Sequence, residues 1–170
     1  FIVPDVWENY SESVRNAKIW SQIELPEGVT KVAVVQSKTK HYAYLCTKAY
    51  KDLGYKKIAY SYGASYYNDV CPHPNKDFGK AIGRSPTDRV HLLGTASPIE
   101  FGLYKNIECI ESIDTSNPIM AGIEQKMYFD LGLPHKPEAN MNNFQDIEEK
   151  DTNLEFIEFN VRKFREINGL

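Results

Sequence analysis

Short apolar runs alternate with longer segments whose apolar residues recur at helical spacing. Val32 to Val35 is a β-branched run after a loop holding Gly28, and reads as a buried strand. In His41 to Leu53 the residues Tyr42, Leu45, Ala49 and Leu53 recur every three or four positions, and Gly54 follows as a C-cap, which predicts a helix. Lys57 to Tyr62 reads as a second strand, Val90 to Leu93 as a third ending at Gly94, and Cys109 to Ile113 as a fourth. Upstream, Phe1 to Val3 reads as a strand and Ser11 to Trp20 as a helix, with Val14, Ala17 and Trp20 on one stripe. Residues 64–75 read as a loop, Lys76 to Ile82 as a short helix, and Ser97-Pro98-Ile99-Glu100 as a helix start with Ser as N-cap, that helix stopping by Asn106. After Asp114 the alternation breaks. Residues 131–145 read as a loop, and Leu154 to Ile167 as a closing amphipathic helix with Leu154, Ile157, Val161, Phe164 and Ile167 on one face.

Strand followed by helix, repeated in this way, predicts an α/β fold with a parallel sheet and crossover helices. Residues 1–125 form the alternating part, and 126–170 add a loop and the closing helix of the same domain. The predicted strands end at Asp5, Gln36, Gly63, Gly94 and Asp114, at intervals of 31, 27, 31 and 20 residues. A (β/α)8 barrel of about 250 residues has a unit near that length, and its active-site groups sit at the C-terminal strand ends. Two carboxylates, an amide and two glycines are therefore expected around one pocket. Each also has a local reading: Asp5 and Asp114 as caps or turn formers, Gln36 as a loop residue, Gly63 and Gly94 as strand-end turns.

Composition narrows the class. Of 170 residues, 42% are hydrophobic and 25% charged, enough for a packed core. No apolar run approaches the roughly 20 residues that span a bilayer, so no membrane partner is expected, and no signal peptide is visible. Three widely spaced cysteines (Cys46, Cys71, Cys109) exclude a disulfide framework and a paired-cysteine metal knuckle, and predict a reducing, cytoplasmic setting. The chain opens on Phe1-Ile2-Val3 with no lead-in, as one entering mid-fold does, whether processed, a fragment, or freed of a tag. Net charge is −3, but residues 31–91 hold eleven Lys/Arg against four Asp. That basic middle is either a phosphate-facing surface or a set of solvated helix faces. His91 reads as packed within its strand and Cys46 as core. Tyr60, Tyr62, Tyr66 and Tyr67 either stack bases or fill a packed loop. His73 beside Cys71 supplies too few ligands for a metal.

These pieces, in order, resemble the tRNA-guanine transglycosylase (queuine tRNA-ribosyltransferase) family and its DNA-modifying relatives in phages and bacteria. The resemblance runs from residue 1 to about 120 and covers the second half of that family's barrel, strands four to eight. Ile2-Val3-Pro4-Asp5 resembles the strand ending in a base-binding Asp, and Ser13 to Trp20 the helix after it. Val32 to Gln36 resembles the strand ending in a base-binding Gln. Ile58 to Gly63 falls on the glycine-rich strand end whose backbone approaches the base. Val90 to Gly94, then Pro98-Ile99-Glu100, resembles the seventh strand and its helix start, and Ile110 to Asp114 the eighth, whose Asp is the nucleophile.

The resemblance implies a partial (β/α)8 barrel that exchanges guanine for a 7-deazaguanine-type base, the queuosine chemistry, on DNA or tRNA. Asp114 would be the catalytic nucleophile, a buried carboxylate, and Asp5, Gln36, Gly63, Leu93 and Gly94 the substrate-binding residues. The family's zinc ligands have no counterpart after Asp114, where only His135 remains, so no metal and no other cofactor is expected. Asn117-Pro118-Ile119 replaces an Arg-containing stretch of the tRNA enzymes, which points to a DNA-acting or divergent relative. The barrel's first half is missing, so a complementary N-terminal half or a second copy is the expected partner. Two other classes fit the same strand ends: a non-catalytic nucleobase-binding or partner module, and an unrelated half-barrel hydrolase acting on glycosides.

Overall fold

The computed structural model describes residues 1–61, 89–94, 109–128 and 154–169. The chain divides into two compact units, Phe1–Gly94 with Ile107–Asp114, and Thr95–Asn106 with Thr115–Leu170. The predicted loops at 64–75 and 131–145, the short helices at 76–82 and 97–106, and Gly63 lie outside the described residues.

The first unit is a mixed α/β structure. Its strands are β1 (Val32–Val35), β2 (Lys57–Ser61), β3 (Arg89–Leu93) and β4 (Ile110–Ile113), hydrogen-bonded in the order β1-β2-β3-β4 and all parallel. The expected strand at Phe1 to Val3 is a single parallel bridge of Ile2 to Val32. It is held by Val32 N–H donating to Phe1 O at 2.8 Å and Val3 N–H donating to Val32 O at 2.9 Å. All four residues of β1 are buried, as a continuous β-branched run requires when neither face meets water.

Two helices, α1 (Tyr10–Ser21) and α2 (Lys40–Asp52), pack on β1 and on each other. In α1 the Asn9 side chain accepts from Glu12 N–H at 3.1 Å and caps the first turn. Its buried line is Ser13 and Ala17, with Val14 only half-buried. In α2 the expected stripe is displaced. Tyr42 is exposed, and the buried residues are Ala43, Cys46, Thr47 and Tyr50. Buried hydroxyls need partners, and here they have them. Tyr50 Oη donates to Val34 O at 2.8 Å, and Thr47 Oγ1 meets Tyr60 Oη at 3.1 Å. Tyr60 is thus a core residue, and buried Cys46 is one as well, its thiol pKa pushed up by burial.

A register shift between Val90 and His91 sets Val90 against Ile110 and His91 against Ser112. The extra residue, Glu111, is paired with Lys57 at 3.1 Å and Arg89 at 3.0 Å.

In the second unit, α3 (Asn117–Ile123) and α4 (Leu154–Asn168) pack together. Gly122 lies against Ile157, where a Cβ would come within 2.7 Å of the Ile157 backbone N. The buried residue of α4 is polar. Asn160 Oδ1 accepts from Tyr128 N–H at 2.8 Å, and Nδ2 donates to Lys126 O at 2.7 Å and Pro118 O at 3.3 Å. Leu154, expected on the apolar face, is exposed, and Ile157, Val161, Phe164 and Ile167 are half-buried. No helix among the described residues is long and apolar enough to cross a membrane.

Candidate functional site

Parallel pairing puts the C-terminal ends of all the strands on one edge of the sheet. Asp5 follows the bridge, Gln36 follows β1, Leu93 and Gly94 end β3, and Asp114 follows β4. Side chains alternate between faces along a strand. With the observed register, Val34 and Gln36, Ala59 and Ser61, His91 and Leu93, and Ser112 and Asp114 fall on one face. Tyr60, which meets α2, is on the other.

Two contacts organise that edge. Gln36 Nε2 donates to Asp5 Oδ2 at 2.6 Å. Gly94 N–H donates to Asp114 Oδ1 at 2.5 Å, and Asp114 N–H donates to Leu92 O at 3.1 Å. Gly94 has φ +67°, a left-handed conformation that a side chain resists. The two contacts are separate. Gln36 follows β1 and Gly94 follows β3, and β2 lies between those strands, which puts the two residues two strand spacings or roughly 10 Å apart.

Gln36 is buried, and it spends both ends of its amide. Besides the bond to Asp5, its Oε1 accepts from Glu8 N–H at 3.1 Å. Ser13, also buried, holds the same segment from α1: its Oγ accepts from Val6 N–H at 3.0 Å and lies 3.2 Å from Val6 O. The turn after Asp5 is thus pinned by one side chain from β1 and one from α1. Sequence reasoning does not assign Ser13 this role. The signal is a serine in the middle of the sheet-facing line of α1, four residues from Ala17.

Asp114 is exposed, which corrects the expected buried carboxylate. It follows β4, and among the described residues no further strand pairs beyond β4. Leu93 is half-buried and packs on Val32, Val34 and Ala59. One layer below Leu93 and Asp114, His91 Nδ1 and Ser112 Oγ lie 2.8 Å apart. Burial lowers the His91 pKa from its ordinary value, and the Asp114 carboxylate partly offsets this.

The described cations of the basic segment fall on both edges of the sheet and on α2. Lys31, Lys56, Lys57 and Arg89 precede or begin strands, so they sit on the edge opposite the candidate site. Lys57 and Arg89 pair there with Glu111, and Lys31 Nζ donates to the carbonyls of Ser21 and Ile23. On α2, Lys48 pairs with Asp52 at 3.0 Å. Lys38, between β1 and α2, and Lys40, which begins α2, stand on the site's own edge. No group of three or more His, Cys, Asp or Glu able to hold a metal occurs among the described residues.

No family model matches the chain, and no curated protein matches it.

Proposed function

We propose that the chain carries out base exchange on a nucleic acid, as the C-terminal part of a (β/α)8-type barrel. The observation that carries this reading is the pairing of Asp5 with Gln36 on the sheet edge where Gly94 holds Asp114. A guanine edge presents N–H donors beside a carbonyl acceptor. A carboxylate next to an amide matches that pattern: Asp5 accepts from the base, and Gln36, with one of its two N–H groups on Asp5, donates the other.

In the exchange, the Asp114 carboxylate forms a bond to C1′ of the nucleotide as the C1′–N9 bond breaks. Guanine leaves with that electron pair and takes a proton from solvent. The transition state is oxocarbenium-like, and the carboxylate's negative charge stabilises it. A 7-deazaguanine-type base, having lost its proton at the matching nitrogen, then attacks C1′ and displaces Asp114. Gly94 fixes one carboxylate oxygen during both steps. A complementary half or a second copy of the chain completes the barrel, and the substrate is DNA or tRNA.

The test is intact-mass spectrometry after incubation with a guanine-containing oligonucleotide. An adduct that disappears in Asp114→Asn supports the reading; an adduct that persists there contradicts it. A second reading, a nucleobase-binding module without turnover, is favoured by the exposure of Asp114 and by the cations paired on the far edge. It predicts guanine binding that needs Asp5 and Gln36, with no exchange of labelled guanine even beside a complementary half.

A further inference from the structure

Beside Gln36 lies a cleft of about 620 Å³, bounded by the segment after Asp5 and by the start of α2. Trp7, Tyr10 and Tyr42 line it. Trp7 is 58% exposed and Tyr42 47%, and the Tyr10 and Tyr42 rings lie 5.5 Å apart. Single exposed aromatics are ordinary, but three in one cleft form a patch that a ligand can cover.

The polar rim carries charges of both signs. Lys38 and Thr39 line the cleft, and Lys40 and His41 follow at once in α2. The first turn of α2 carries no acid, although acids are what a helix N-terminus favours. Glu8 is the carboxylate in the lining, and its backbone N–H is held by Gln36 Oε1 at 3.1 Å. The cleft wall is therefore tied directly to the Asp5–Gln36 contact. Aromatic faces beside lysines are the combination that binds single-stranded nucleic acid, through stacked bases and neutralised phosphates.

We propose that this cleft holds a nucleotide of a single strand, next to the one whose base meets Asp5. Its base stacks on Trp7 and Tyr42, and its phosphate lies against Lys38 and Lys40. The position beside the target nucleotide rests on the base-exchange reading; the cleft's preference for a single strand does not.

Trp20→Phe leaves Trp7 as the one tryptophan, so its fluorescence reports the cleft. A thymidine octamer, which contains no guanine, is titrated at low and raised salt. The expected result is quenching with an affinity that falls as salt rises, weakened roughly tenfold by Tyr42→Ala and again by Lys38→Ala. Both side chains are exposed, so these variants fold. No quenching, or quenching that neither variant changes, overturns the proposal, as does quenching by an acidic peptide in place of the octamer. Labelled guanine in equilibrium dialysis reads the Asp5 site separately. If the octamer binds as expected while guanine does not, the cleft assignment stands and the base-exchange reading fails.

Discussion

Gln36 Nε2 donates to Asp5 Oδ2 across 2.6 Å, joining residues 31 positions apart in the chain. The other end of the same amide accepts from Glu8 N–H. One buried side chain thus fixes a carboxylate and the turn that follows it.

Gln36→Leu removes both bonds and leaves the Glu8 N–H without its acceptor. The expected cost is about 1–3 kcal/mol, read by chemical denaturation. Asp5→Asn keeps an acceptor for Gln36 and is expected to cost less. Equal losses in the two variants would mean that the amide does not organise this turn.

Asn160→Leu leaves the Tyr128 N–H and the Lys126 and Pro118 carbonyls without their partner inside the second unit. Roughly 3 kcal/mol or more of that unit's stability is expected to go. Hydrogen exchange at the Tyr128 amide is the direct reading, and unchanged protection there speaks against the staple.

Gly122→Ala places a methyl group against the Ile157 backbone, which cannot swing aside as a side-chain tip does. Overpacking of this kind costs about 1–3 kcal/mol. A melting temperature equal to the parent's would show that α3 and α4 are not packed this closely.

The His91 imidazole, among Asp114, Lys57, Glu111 and Ser112, is held below its ordinary value of 6.5, first by burial. Below that pH the unfolded chain takes up the proton more readily than the folded one. Stability linked to His91 is therefore complete above pH 6.5 and declines as the pH falls from there through the folded-state value. His91→Gln should flatten this part of the curve in pH-dependent denaturation. An identical slope in the variant would assign the loss to other groups.

Much of the first unit was legible because its strands are compact β-branched or apolar runs separated by helical spacing. The face of α2 was not. Counting Tyr42 with the apolar residues shifts the stripe, whereas Tyr50 and Thr47 are buried because their hydroxyls find Val34 O and Tyr60. The helix α3 is not legible in the sequence, because Ser116-Asn117-Pro118 serves a turn or a helix start equally well; in the structure it packs with Gly122 on Ile157. The edge occupied by Asp5, Gln36, Gly94 and Asp114 follows from strand order. The charge of the 31–91 segment could not be read this way, since a count does not say at which end of a strand a lysine falls.

A nuclear magnetic resonance titration of the isotope-labelled chain with free guanine probes both halves of the edge at once. The Gln36 side-chain amide and the Gly94 backbone amide should shift together, along one saturable curve that Asp5→Asn abolishes. Shifts confined to one of them, or to residues away from this edge, would show that these strand ends do not enclose a common purine site.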